Sequence, residues 1–268
     1  MKKWLKITLW SVFAIGLITI IFFVKKAMDE KLVPVPEISI HADAENAFLT
    51  NTELHEKLKR ANLLFDGQRR DQLKTEEIEQ FILDISQVKK VEVFQFLDGS
   101  WKIDVDMRIP IARIFNKYGE TFYMDDEGNT MDVTQSHTAR VLVFSGEIKD
   151  KKSSISVNEI INNDSLISIR KLDDIYRISS YVCNDPLFHS LIGQVHLKKS
   201  GDFVLIPLVG DQKIVFGSAF SDLEVEEKFK KLKIFYEEAM PYEGWETYRE
   251  ISLKFDGQIV CKKKNTNE

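Results

Sequence analysis

Val88-Lys89-Lys90-Val91-Glu92-Val93-Phe94-Gln95-Phe96-Leu97-Asp98-Gly99-Ser100-Trp101-Lys102-Ile103-Asp104-Val105-Asp106-Met107-Arg108 is where the chain changes its hydrophobic period. Trp101, Ile103, Val105 and Met107 alternate with Lys102, Asp104, Asp106 and Arg108, the pattern of a half-buried strand with one wet face. Val88–Leu97 is rich in valine and phenylalanine, and Asp98-Gly99 supplies a hairpin turn between the two runs. Just upstream the period is helical. Ile78, Phe81, Ile82 and Ile85 fall at i, i+3, i+4 and i+7 behind a start near Thr75, with Glu76 and Glu77 in the first turn where the helix dipole favours acids. Further back, Thr50-Asn51-Thr52-Glu53 has capping-box spacing, and Leu54, Leu58 and Ala61 follow on one face. Glu37–His41, with Ile38 and Ile40 alternating, is a short strand. The order from Glu37 to Arg108 is therefore β-α-α-β-β, and two helices on one face of a three-stranded sheet would bury both apolar stripes.

Ahead of this module, Val33-Pro34-Val35-Pro36 favours extended backbone and a stiff short spacer. Before the spacer lies Ile7–Val24, with no charge between Lys6 and Lys25. At 1.5 Å per residue it reaches about 27 Å, close to the ~30 Å of bilayer hydrocarbon. A cleaved signal peptide has a shorter apolar run and small residues before the cut. Here the run ends Ile20-Ile21-Phe22-Phe23-Val24-Lys25-Lys26, so an uncleaved anchor is expected. Lys2, Lys3, Lys6 and the amino terminus narrowly outweigh Lys25, Lys26 and Lys31, and positive charge holds the cytoplasmic flank. That places the head inside and the bulk of the chain outside.

Beyond Pro110 the strands continue as Ile111–Phe115, Thr121–Met124, Thr130–Val133 and Arg140–Phe144. Ser156–Asn184 reads as mostly helical, with Ile169, Leu172, Ile175, Tyr176 and Ile178 roughly on one side. A meander follows: Gln194–Lys198, Phe203–Leu208 and Lys213–Phe216. Ser221-Asp222-Leu223-Glu224 is a second capping box, opening a helix that Pro241 should stop. The closing hairpin is Tyr248–Phe255, Asp256-Gly257 and Gln258–Lys262. The expected fold class is α+β, with a single N-terminal transmembrane helix, the β-α-α-β-β module, and a mainly antiparallel β domain with helices. The expected boundaries are a cytoplasmic head at 1–6, the transmembrane helix at 7–24, a linker at 25–36, the first domain at 37–108, the β domain at 109–262 and a tail at 263–268.

The 268 residues carry a net charge of −5 and no basic block, which argues against nucleic acid as a partner. The five histidines are scattered, and no nucleophile elbow, phosphate loop or dinucleotide fingerprint occurs. Ser136 and His137 are neighbours in sequence, which does not make a triad. Asp125-Asp126-Glu127-Gly128-Asn129 looks like a calcium loop, but its twelfth position is Ser136 and not glutamate, so a β-turn is expected. Cys183 and Cys261 could pair in an oxidising compartment or stay as free thiols. No catalytic, cofactor or metal site is expected.

The stretch left to carry function is the final strand, Gln258–Lys262. If it lies at the sheet edge, its unpaired N–H and C=O groups form a template for a strand of another chain. The opposing reading is that Lys262, Lys263 and Lys264 shield that edge.

With these residues in view, the chain resembles the FtsQ/DivIB family of bitopic bacterial cell-division proteins. Trp101–Ile114 looks like that family's junction between its POTRA module and its β domain, and Tyr123-Met124-Asp125-Asp126-Glu127-Gly128 is similar to the hairpin that follows. Thr138–Gly146 looks like the version in Bacteroidetes-type members, and Ile251–Cys261 matches the family's last hairpin. Ser252 and Lys254 stand where many relatives have Asp and Arg, and Leu142 where proline is common. The resemblance implies a non-enzymatic scaffold of the inner membrane and division septum, with its bulk in the periplasm. It implies binding to FtsB and FtsL and a link, direct or indirect, to the peptidoglycan synthase pair FtsW and FtsI. It also implies that the last strand receives a strand of FtsB, at Gln258, Ile259, Val260, Cys261 and Lys262, with Tyr248 nearby. On that reading Val260→Pro should weaken FtsB binding while the β domain stays folded.

Two other classes compete. One is a POTRA-bearing envelope protein for secretion or outer-membrane assembly, in which a transmembrane barrel should follow. The other is a membrane-tethered envelope hydrolase, against which the missing nucleophile and metal ligands count.

Overall fold

The structure, a computed structural model, describes residues 2–42, 47–152, 156–167 and 169–264. It divides into two compact units: Met1–His41 with Leu49–Met107, and Ala42–Phe48 with Arg108–Glu268. Most of the tail expected at 263–268 lies outside the described residues.

The first unit opens with helix α1 (Lys2–Asp29), which begins before Ile7 and runs past Val24. Its Ile7–Asp29 segment is long and apolar enough to cross a bilayer. The hydroxyls of Thr8, Ser11 and Thr19 donate to the carbonyls of Trp4, Thr8 and Ile15, so the helix satisfies these polar groups itself, as hydrocarbon requires. The module follows as β1 (Glu37–His41), α2 (Asn51–Arg60), a 3-10 turn at Arg70–Gln72, α3 (Thr75–Leu83), β2 (Val88–Gln95) and β3 (Trp101–Met107). The sheet order is β1-β3-β2, with β1 parallel and β2 antiparallel to β3.

Thr50 caps α2: its side chain accepts the Glu53 N–H, and the Glu53 carboxylate accepts the Thr50 N–H in return. Leu54 and Leu58 of α2, Ile78 and Ile82 of α3, and Ile103 and Val105 of β3 are buried completely. Ala61, expected on the same stripe, is instead the exposed C-cap, because the helix ends there. Trp101 is buried, and its indole N–H donates to the Pro34 carbonyl at 2.8 Å. That bond ties the proline spacer to the sheet.

The second unit holds β4 (Pro110–Phe115), β5 (Thr121–Asp125), β6 (Thr130–Asp132) and β7 (Leu142–Gly146). Helices α4 (Val157–Ile161), α5 (Asp164–Ile167), α6 (Leu172–Asn184) and α7 (Pro186–Leu191) come next. Strands β8 (Ile192–Leu197), β9 (Phe203–Pro207) and β10 (Lys213–Gly217) lead to α8 (Asp222–Ile234), a π-helical turn at Phe235–Ala239 and α9 (Met240–Glu243). The chain closes with β11 (Tyr248–Ser252) and β12 (Val260–Lys263).

All nine strands form one sheet in the order β12-β11-β10-β9-β8-β7-β4-β5-β6. Five of its pairings are antiparallel (β4-β5, β5-β6, β8-β9, β9-β10, β11-β12) and three are parallel (β4-β7, β7-β8, β10-β11). The sheet is thus mixed, because the helical segments between β7 and β8 and between β10 and β11 act as crossovers. Phe229 of α8 sits at the centre of the core, its ring 4.5 Å from Tyr181, 4.8 Å from Phe188 and 5.0 Å from Phe216.

The helices depart from the expected readings at Ile169 and Pro241. Ser156–Asn184 is three helices, and Ile169 lies outside them and is exposed. Asp185 ends one helix and caps the next, its carboxylate accepting the N–H groups of Leu187 and Phe188 behind a helix-starting proline. Pro241 does not stop the last helix. The π turn frees the backbone ahead of it, and Pro241 then sits in the first turn of α9, where its missing N–H costs nothing.

The turn after β5 is built on Asp125, which is fully buried. Its carboxylate accepts from the Arg108 guanidinium at 2.7 Å and from the N–H groups of Glu127 and Asn129 at 3.0 and 2.6 Å. The oxygens that a calcium ion would need are therefore spent on the turn. Gly128 completes it at φ 79°, and a Cβ there would lie 2.6 Å from Cβ of Val157. Gly128→Ala should cost about 2 kcal/mol through left-handed strain and this clash, read as a lowered urea midpoint with an unchanged slope.

A buried polar knot fixes the start of α6. Asp173, Asp174 and Arg177 are all buried. Arg177 donates to Asp173 at 3.0 Å, to Asp174 at 3.2 Å and to the Ala219 carbonyl at 3.0 Å, and Lys171 reaches Asp174 at 2.6 Å. Desolvation outweighs these cations for Asp174 and raises its carboxyl from 3.8 to about 6. A carboxyl raised in the folded state binds its proton more tightly there than in the unfolded chain. Its contribution to stability is present below pH 4 and is lost as pH rises through about 6. Wild type should lose about 3 kcal/mol of this contribution over that window, and Asp174→Asn should flatten that part of the pH–stability curve.

Candidate partner-binding edge

Strand β12 lies at one end of the nine-stranded sheet, paired on one side with β11. The chain reaches it through Asp256-Gly257, where Gly257 takes φ 67° and reverses the direction. β11 is held from below: Ile251 and Leu253 are fully buried. Tyr248 packs its ring 5.8 Å from Phe235 of the π turn, and its hydroxyl donates to Glu243 at 3.2 Å.

The hydrogen-bond parity shows which main-chain groups meet the open side. The Leu253 N–H donates to Val215 of β10 at 2.9 Å, so alternate residues Ile251 and Leu253 turn toward β10. Ser252 and Glu250 then turn toward β12, where they stand opposite Val260 and Lys262. The Lys264 N–H, bonded to Thr247 at 2.9 Å, agrees with this parity. Val260 and Lys262 therefore spend their main-chain groups on β11, while Cys261 and Lys263 turn theirs to the open edge. A register shift between Tyr248 and Glu250 bends the pairing next to them.

Side chains sort the opposite way. Ile259, Cys261 and Tyr248 pack against the core beneath the helices, while Val260 is exposed. The lysines are drawn back onto their own unit: Lys262 to Glu250 at 2.5 Å, Lys263 to Glu243 at 3.7 Å and over the Tyr248 ring, Lys264 to Asp211 at 3.3 Å. The Lys262 ammonium holds the Glu250 carboxyl below its ordinary range. Burial raises the Cys261 thiol, and pushes that of Cys183 up to about 11, so neither is a ready nucleophile. Both cysteines are free thiols, and Cys183 donates to the Ile111 carbonyl at 3.6 Å.

The strand expected at Gln258–Lys262 is thus shifted. Gln258 and Ile259 belong to the approach from the turn, and pairing runs from Val260 to Lys263. Val260, Cys261 and Lys262 share one strand, and Tyr248 stands one strand inward, opposite Lys263. Lys263 lies in the strand although the sequence pattern ends it at Lys262, because alternation over four residues carries no register signal. The shift also moves the test of main-chain pairing from Val260 to Cys261 and Lys263. Among the described residues no group of three or more His, Cys, Asp or Glu is placed to hold a metal ion. The open edge offers main-chain donors and acceptors of Cys261 and Lys263.

Comparison with known proteins agrees with both units. The family model described as FtsQ/DivIB, C-terminal related matches residues 109–262, and a POTRA-like domain model matches residues 36–106. No curated protein matches the chain.

Proposed function

The chain belongs to the FtsQ/DivIB C-terminal related family, and from that premise we propose that it is a single-pass division scaffold whose bulk lies in the periplasm. Its work is to hold other division proteins together and not to make or break bonds. At the open side of β12 it pairs with an extended segment of an FtsB-like partner, and through FtsB and FtsL it communicates with the FtsW–FtsI pair that builds septal peptidoglycan. Tyr248, Gln258, Ile259, Val260, Cys261 and Lys262 form the surroundings of that contact, and Lys263 joins them. One observation carries the reading: Cys261 and Lys263 turn their main-chain groups to an edge whose own lysines are pulled aside. Lateral pairing also tolerates Ser252 and Lys254 in place of other side chains, since the backbone supplies the bonds.

A fluorescent protein fused to Met1, imaged while the native chain is depleted, tests the reading. A band at the division plane, with filamentation on depletion, is the expected result. An even envelope signal with normal division overturns it.

A further inference from the structure

β2 is an edge strand too, at one side of the three-stranded sheet. The Phe96 N–H donates to the Ser100 carbonyl within the hairpin at 2.8 Å, so Phe94, Glu92 and Lys90 turn toward β3. Val91, Val93 and Gln95 then turn their main-chain groups outward. The central one is already taken: the Val93 N–H donates to the Glu79 carboxylate of α3 at 2.7 Å. This edge has a sequence that invites pairing. Val91-Glu92-Val93-Phe94-Gln95-Phe96-Leu97 is rich in strand-forming residues, contains no proline, and leaves Phe94, Phe96 and Leu97 exposed.

We propose that Glu79 is a latch that closes the β2 edge, and that without it two copies of this chain pair through β2. The occupant is a second copy because the strand is complementary to itself. Antiparallel pairing about Val93 sets Val91 against Gln95, Glu92 against Phe94, Lys90 against Phe96 and Lys89 against Leu97, with no like charges directly opposite. A side-chain oxygen that reaches over from the packed helix to occupy the middle donor removes the bond on which such a pairing would be centred. This inference is independent of the function proposed for β12.

The test uses the full chain in detergent micelles. Glu79→Ala should speed deuterium uptake in the peptide containing Val93 by at least tenfold at low protein concentration. As concentration rises, the same variant should reach twice the wild-type mass by light scattering and regain protection there. Glu79→Gln keeps an accepting oxygen and should behave as wild type. Val93→Pro removes an outward donor without touching the ladder to β3, so Glu79→Ala/Val93→Pro should stay at the wild-type mass. Glu79→Ala keeping the wild-type mass at every concentration overturns the proposal. So does association of the double variant to the same extent as Glu79→Ala.

Discussion

Arg177→Met is expected to destabilise the second unit by about 3–5 kcal/mol, the usual result of removing one partner from a buried ion cluster. The side chain is nearly isosteric along its stem, so packing changes little, and the loss is electrostatic. Arg177 answers two buried carboxylates and the Ala219 carbonyl at once. With it gone, Asp173 loses its guanidinium partner, and its Oδ1 already has no bonded partner among the described residues. Asp174 retains Lys171. The Ala219 carbonyl, in the connection from β10 to α8, loses a donor. The effect should appear as a fall on the order of 10 °C in the melting midpoint by near-ultraviolet circular dichroism. Adding Asp173→Asn and Asp174→Asn should recover a large part of it, because the burden is the stranded charge. A midpoint within about 2 °C of wild type would show that the knot is hydrated and contributes little.

If β12 pairs with an FtsB-like segment as proposed, Cys261→Pro should weaken that binding about tenfold to a hundredfold while the second unit stays folded. Its N–H turns outward, so proline deletes a donor offered to the partner and spares the bonds to β11. The partner carbonyl it faced would be left in the interface without its bond, at about 1–3 kcal/mol. Lys263→Pro should behave alike. Cys261→Ser keeps the N–H and should bind nearly as wild type, which separates the main chain from the thiol. Val260→Pro should instead loosen the hairpin itself, because that N–H faces Ser252. A titration in which Cys261→Pro and wild type bind equally well would remove strand pairing at β12 from the account.

The first unit was open to reading because its signals are local. The capping box at Thr50, the stripe through Ile78 and Ile82, and the alternation from Trp101 to Met107 each depend on neighbours within one or two turns or along one strand. The second unit hid more. Pro241 reads as a stop, but the π turn ahead of it depends on how Phe235 and Tyr236 pack, against Tyr248 and Trp245 respectively, and those contacts come from elsewhere in the chain. Arg177 looks like one more surface charge on a helix until the Ala219 carbonyl arrives from 42 residues away.

By itself the sequence determined the long apolar N-terminal helix, the β-α-α-β-β module and a closing hairpin. Apolar period and capping chemistry suffice for those. Tertiary structure alone decided that the second sheet is mixed, that β12 stands at its end, and which amides face outward there and at β2. The reason is physical: strand order and pairing parity are set by non-local hydrogen bonds, and a one-residue slip that reverses every donor leaves the amino-acid sequence unchanged.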